Sequence, residues 1–499
     1  MTTAATTATG NPYLEGFLAP VRAEVTATDL PVTGHIPEHL DGRYLRNGPN
    51  PVADVDPATY HWFSGDAMVH GVALRDGQAR WYRNRWVRTA AVCSALGEPT
   101  PAGLDPRAGM LSVGPNTNVL SHAGQTLALV EGGGANYRLT DELDTVGTCD
   151  FDGTLAGGYT AHPHRDPATG ELHAISYSFA RGHTVQYSVI DTRGRARRTV
   201  DIAVTGSPMM HDFSLTEKYV VIYDLPVTFE PARVLPATVP RWLGLPARLV
   251  VQSLLGRVRM PSPVTAMVNR NRQPINQMPY GWNPHYPARI GVMPREGDNN
   301  DVRWFEIEPC YVYHPLNAYS EIRDGAELLV LDVVRYPRMF DRDRRGPGDS
   351  RPALDRWTIN LTTGAVSAER RDDRSQEFPR INENVLGGKH RFGYTVGVDG
   401  GFLDEASEMT SALYKHDYAT GSATTAALDP SLLLGEMCFV PSPAARSEDD
   451  GVLMGYGYHR GRDEGQLLLF DAQTLESVAT VHLPQRVPMG FHGNWAPRG

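Results

Sequence analysis

Four of the seventeen histidines in this 499-residue chain sit in similar surroundings. They are His162 in Thr160-Ala161-His162-Pro163, His211 in Met209-Met210-His211-Asp212-Phe213, His314 in Tyr313-His314-Pro315-Leu316-Asn317, and His492 in Gly490-Phe491-His492-Gly493-Asn494-Trp495. A neutral imidazole is the commonest nitrogen ligand for a transition metal, and several from remote segments can meet at one ion. His492 lies seven residues from the C-terminus, where chains fray unless something ties them down. A metal would be such a tie, with His492 the last of four ligands. A polar C-terminal strand in which His492 only hydrogen-bonds its neighbours would also satisfy these residues.

Other chemistries find less support. Cys93, Cys149, Cys310 and Cys438 are far apart and form no CxxC pair, which fits a reducing cytosol and offers neither a zinc knuckle nor a disulfide framework. Gly132-Gly133-Gly134 is followed by no Lys-Ser/Thr and so makes no phosphate loop. A net charge of -10 argues against nucleic-acid binding. Met1 to Gly10 has neither a basic start nor an apolar run, and no stretch of about 18 apolar residues occurs. The expectation is a cytoplasmic protein.

The ligand spacings of 49, 103 and 178 residues call for elements that recur. Turn centres fall near Asp76, Asp141, Asp191, Asn360, Asp417 and Asp471, separated by 65, 50, 169, 57 and 54 residues, each between β-rich runs. Asp, Asn and Gly tolerate the positive φ of tight hairpins, and a recurrence of about 50–60 residues fits one four-stranded propeller blade. The histidine spacings then approximate one, two and three blades. The long gap holds one missing blade and an insertion, giving seven; two missing blades would give eight. Seven is preferred because the gap contains a segment unlike the rest. Strands are expected at Thr126–Val130, Glu171–Phe179, Val185–Ile190, Tyr219–Tyr223, Glu327–Val334, Arg391–Val398, Gly451–Tyr458 and Gln466–Phe470. With 49 glycines, 38 prolines and no break in composition, residues 1–499 read as one all-β domain.

That unlike segment, Pro231 to Arg295, has no Asp or Glu and nine arginines. Ala247, Val250, Val251, Leu254 and Val258 recur at helical spacing among Arg241, Arg248, Arg257 and Arg259, the pattern of an amphipathic helix with basic flanks. Such a helix can lie on an anionic membrane, with Trp242, Leu243, Leu254 and Leu255 as the apolar contacts. A helical excursion packed on the propeller fits the pattern as well.

The chain resembles the carotenoid cleavage oxygenases from end to end. The resemblance rests on Asp41-Gly42-Arg43-Tyr44-Leu45-Arg46-Asn47-Gly48-Pro49-Asn50-Pro51, His61-Trp62-Phe63-Ser64-Gly65-Asp66-Ala67-Met68, Ala161-His162-Pro163, His211-Asp212-Phe213, His314-Pro315-Leu316-Asn317-Ala318, Glu377-Phe378-Pro379-Arg380 and Gly490-Phe491-His492-Gly493. It implies a seven-bladed β-propeller with a helical and loop cap over the iron-bearing axial face. It also implies Fe(II) held by His162, His211, His314 and His492. By motif it places Glu131, Glu377 and Glu436 behind those ligands, where a carboxylate fixes the ring tautomer and raises ligand basicity.

The resemblance further aligns Thr117 with a threonine crowding the open coordination site, while Phe63, Tyr319, Phe491 and Trp495 are expected to wall an apolar tunnel. His164 is expected to face outward into solvent. The implied reaction uses O2 to split one C=C bond of a carotenoid or apocarotenoid into two aldehydes, with no protein nucleophile. Such a polyene partitions into membranes, which would give the basic segment a docking role at the inner face of the cell membrane. A stilbenoid-cleaving relative is the nearest alternative, weakened because Val130 stands where those relatives carry a lysine. A propeller scaffold with a degenerate site is a third reading, disfavoured because all seven site residues are present.

Overall fold

A computed structural model describes residues 10–104, 114–155, 158–178, 181–230, 279–341, 350–398 and 411–498. Its strands form seven antiparallel sheets of four to six strands, with a separate two-stranded ribbon. The sheets follow one another along the chain as the blades of a propeller. Their first strands are Gly493–Pro497, Asn118–His122, His164–Arg165, Ser214–Leu215, Tyr311–Arg323, Gln376–Arg380 and, for the seventh blade, the pair Leu432–Leu434 and Cys438–Pro441. First strands are mostly buried and touch those of neighbouring blades, whereas last strands such as Ser422–Thr425 are exposed. The hub is therefore built from the first strands.

Both chain ends close the ring. Gly493–Pro497 pairs with Gly42–Pro49, so the C-terminal strand heads the blade that the N-terminal region builds. Val32–Gly34 pairs with Ser477–His482 at the outer edge of the last blade. Each end thus covers a sheet edge that would otherwise expose unpaired backbone groups.

All six turn centres read from the sequence lie in the outer hairpins of six blades. Asp76 and Gly77, with φ of 51 and 66, connect Ala67–Arg75 to Gln78–Trp86, a two-residue turn that needs positive φ twice. At Asp191, Asn360, Asp417 and Asp471 the side-chain oxygen accepts backbone N–H groups two to four residues on, which is Asx-turn chemistry. The missing turn belongs to the fourth blade, where Arg289–Pro294 leads to Arg303–Glu306. His211 and His314 therefore head adjacent blades. Their 103-residue separation reflects an insertion and not the two blade intervals that spacing had indicated.

Of the segment 231–295, residues 279–295 supply Tyr280–Trp282 of the ribbon and Arg289–Pro294 of the fourth blade. Trp242, Leu243, Leu254 and Leu255 lie outside the described residues. Among those described there is one α-helix, Ala90–Leu96, and six short 3-10 turns, three of them at Pro12–Leu14, Gly16–Leu18 and Trp62–Ser64. These three pack on Phe378, Tyr458 and Met489 over one end of the hub.

Candidate metal centre

His162, His211 and His492 lie just before the start of a first strand and His314 is the fourth residue of one, and their ring nitrogens meet at the axis. His492 is fixed by its backbone: its N–H donates to Thr117 O at 3.1 Å and its carbonyl accepts from Asn47 N at 3.0 Å. Ala161 O, beside His162, accepts from Asn118 Nδ2 at 2.7 Å. His314 falls where the register of Tyr311–Arg323 with its neighbour slips between Val312 and Pro315. Such a bulge turns a side chain out of the regular alternation.

The Nε2 atoms of His162 and His211 are 2.9 Å apart, those of His211 and His314 are 3.2 Å apart, and all four ligand atoms lie within 4.8 Å of one another. The other ring nitrogens meet carboxylates. His211 Nδ1 is 2.8 Å from Glu131 Oε2, His314 Nδ1 is 2.7 Å from Glu377 Oε2, and His492 Nδ1 is 3.0 Å from Glu436 Oε1. With Nδ1–H donating to a carboxylate, each Nε2 presents its lone pair. Converging lone pairs repel unless a cation lies between them. Imidazole nitrogens about 2.1 Å from one ion lie roughly 3–3.5 Å apart, so the donor set fits a single transition metal.

The glutamates are themselves anchored. Glu436 accepts from Gly493 N at 2.8 Å and from Arg380 Nη1 at 3.3 Å. Burial alone would raise its pKa, but the Arg380 and His492 interactions outweigh it and hold the group down to about 2. Glu377 accepts from Tyr336 Oη at 2.9 Å, and the Tyr177 phenol, its pKa raised by burial and by the Glu131 charge, lies near that glutamate. Glu377 precedes Phe378, whose φ of 50 is left-handed, a strained conformation for a bulky residue. It seats the Phe378 ring 5.8 Å from the rings of both His314 and His492. Burial, reinforced by the other imidazoles, pushes His162 well below its usual pKa. His492 is also lowered by burial, with Glu436 offsetting part of it, while at His314 Glu377 overcomes burial and raises it.

His162 has no glutamate. Its Nδ1 is 3.6 Å from Asp212 Oδ2, while His164 Nε2 lies 2.8 Å from Asp212 Oδ1. His164 is thus largely buried and turned inward, because alternate residues of a strand share a face; the outward placement read from the sequence is wrong. Asp212, Arg380, Tyr336 and Tyr177 are the residues the sequence reading missed. Asp212 and Arg380 stand inside the matched blocks, whereas the tyrosines carry no local signal.

Thr117 is buried beside His492, its hydroxyl donating to Asn116 Oδ1 at 3.2 Å. Phe63 and Phe491 meet edge to face at 5.4 Å, and Phe63 lies 6.5 Å from Tyr313, whose ring is 5.0 Å from His211. Those aromatics form one cluster beside His211. Trp495, three residues further along the inner strand, lies beyond the histidines and lines an axial cavity of about 150 Å³ with His162, His314, Arg165 and Asp212. Tyr319 is buried against His390 at 6.0 Å, apart from the Phe63–Phe491 cluster.

Comparison with known proteins agrees with this geometry. Residues 18–497 match the family described as retinal pigment epithelial membrane protein, RPE65. The chain is 77% identical to a carotenoid cleavage oxygenase of Mycobacterium tuberculosis over 499 residues, 100% of both chains. It is 31% identical to carotenoid 9,10(9',10')-cleavage dioxygenase 1 of Arabidopsis thaliana, over 96% of this chain and 89% of that one. Among solved structures it is similar to cobalt-substituted apocarotenoid oxygenase of Synechocystis, with a TM-score of 0.75 and 25% identity over 96% of this chain and 97% of that one.

Proposed function

This chain belongs to the family of RPE65 and the carotenoid cleavage oxygenases, and from that membership we propose that it is a mononuclear Fe(II) dioxygenase. It splits one C=C bond of a carotenoid or apocarotenoid with one O2, so that each alkene carbon leaves as an aldehyde carrying one oxygen atom. The observation that carries this reading is the convergence of four imidazole Nε2 atoms backed by three carboxylates.

His162, His211, His314 and His492 would hold the iron. Four neutral ligands leave a dication's charge uncompensated, and Glu131, Glu377 and Glu436 supply the balancing charge one bond further out while fixing ring orientation. Iron(II) supplies the redox chemistry with O2 that no side chain in the site can provide. The protein's own contribution is positioning. Phe63, Phe491 and Tyr313 present an apolar wall that excludes water and suits a rod-like polyene, and Thr117 narrows the space beside His492. No nucleophile is needed.

Among the described residues no helix is long and apolar enough to cross a membrane. We assign the basic stretch containing Trp242, Leu243, Leu254 and Leu255 to peripheral docking at the inner face of the membrane, because nine arginines without an acidic residue in a chain of net charge -10 suit an anionic lipid surface. Replacing Leu254 and Leu255 with Asp should weaken flotation with anionic liposomes while sparing cleavage of detergent-dispersed substrate; unchanged flotation refutes the docking role.

The functional test is to incubate the Fe(II)-loaded protein with carotenoids, apocarotenoids and stilbenes under 18O2 and identify the products by mass. Label in both aldehydes from a polyene supports the proposal. Cleavage restricted to stilbenes, or label in only one product, defeats it.

A further inference from the structure

The interface that closes the ring, between the first and last blades, contains a positive charge that forms no ion pair among the described residues. Tyr44 and Arg46 alternate on Gly42–Pro49 and so share a face. That face meets Tyr456 on Gly451–His459: the Tyr44 and Tyr456 rings are 5.0 Å apart, and the Arg46 guanidinium carbon lies 5.6 Å from the Tyr456 ring centre. Tyr44, Arg46 and Tyr456 are 0%, 5% and 3% exposed. Arg46 Nε, Tyr44 Oη and Tyr456 Oη are buried without any hydrogen-bond partner among the described residues. The neighbouring phenol, Tyr82, differs: its hydroxyl meets His70 Nδ1 at 3.0 Å and accepts from Gln485 Nε2 at 3.1 Å.

Arg46 also forms no ion pair among the described residues. The carboxylate that acts on it is Glu436, but that group is already engaged by Arg380, His492 and the Gly493 N–H. The backbone is fitted closely around the guanidinium. A Cβ on Gly490 would fall 1.7 Å from Arg46 Nη1, and one on Gly493 would fall 2.6 Å from Tyr44 Oη.

Three donors without a protein partner among the described residues, one of them part of a charged group, are carried by side chains that pack against one another in this largely buried interface. Buried donors are almost always satisfied, and a buried charge needs a partner of opposite sign. Ordered water can satisfy hydrogen bonds but leaves the guanidinium uncompensated. We propose that this cluster binds a small monovalent anion of the halide class, chloride under ordinary conditions, held by Arg46 and the hydroxyls of Tyr44 and Tyr456. The ion joins Gly42–Pro49, which pairs with the strand following His492, to the last blade, and so fastens the ring where its ends meet. It takes no part in the oxidation and stands independently of it.

Crystals of the full-length protein grown with bromide replacing chloride should show an anomalous scattering peak in contact with Arg46 Nε and both phenol oxygens. At constant ionic strength, balanced with gluconate, Tm should rise about 1 °C for each tenfold increase in chloride above its dissociation constant. The double variant Tyr44→Phe, Tyr456→Phe keeps the packing and removes both hydroxyls, so it should flatten that rise and lose the bromide peak. Arg46→Met, if it folds, should do the same. A cluster without anomalous signal, or a chloride response that survives in the double variant, would overturn the proposal.

Discussion

At the scale of single residues, the centre depends on which ring nitrogen each histidine keeps protonated. Three Nδ1 atoms lie within 3.0 Å of a glutamate oxygen, which leaves Nε2 free to bind metal. Glu436 is held down to about 2 by Arg380 and His492, so it is ionised throughout the physiological range. Glu436→Gln keeps the shape and removes the charge. It should weaken iron binding about 10–100-fold, read by competition with a ferrous chelator; unchanged affinity would remove Glu436 from the support of His492. The histidines and glutamates were legible because each lies in a short, distinctive block. Tyr336 and Tyr177 were not, because each approaches its glutamate from another blade and a phenol has no sequence pattern of its own. His164 shows a different failure. The residue was visible, but its side of the strand was misjudged, and Asp212 became apparent only once the two inner strands lay side by side.

At the scale of elements, local turn chemistry was readable and departures from regular alternation were not. The Asx turns at Asp191, Asn360, Asp417 and Asp471 are set by residues within four positions, so their spacing exposed the blades. The irregularities that aim the site are different. His314 sits at a register slip, Phe378 is left-handed, and Glu436 lies between two short strands that both pair with Gly451–His459. None follows from a period of two. Gly455 faces that last irregularity: a Cβ there would come 2.3 Å from Glu436 O and 2.5 Å from the Met437 sulfur. Gly455→Ala should therefore cost about 1–3 kcal/mol of stability, as overpacking does, and should lower iron affinity in parallel by displacing Glu436. Denaturant midpoints with metal titration would measure both effects, and a neutral result would show that this bulge does not position the glutamate.

At the scale of the whole molecule, the ring joins residues more than 400 positions apart, such as Gly42 and Pro497, a pairing no local signal encodes. The blade count was still legible, since six outer turns repeat. The separation of His211 and His314 was miscounted because the insertion added length within one blade. Folding also buries several histidines outside the metal centre. Burial lowers His173 to about 4, His390 to about 3 and His416 to about 4. The unfolded chain takes up these protons near pH 6.5, while the folded chain refuses them until about pH 4 or below. Stability should thus be full above about pH 6.5 and fall as pH drops, each histidine contributing up to about 1.4 kcal/mol per pH unit. Denaturant unfolding between pH 7 and pH 4 measures this, and a flat profile would contradict the buried neutral state of these rings.

The most direct test of the four-histidine centre is metal analysis with X-ray absorption on the Fe(II)-loaded protein and on His314→Ala. The wild type should hold one iron per chain with four imidazole nitrogens at about 2.1 Å, and the variant should lose the metal and turnover while its β-sheet circular dichroism persists. A variant that keeps stoichiometric iron, or a wild-type spectrum with fewer than four imidazoles, would contradict the account.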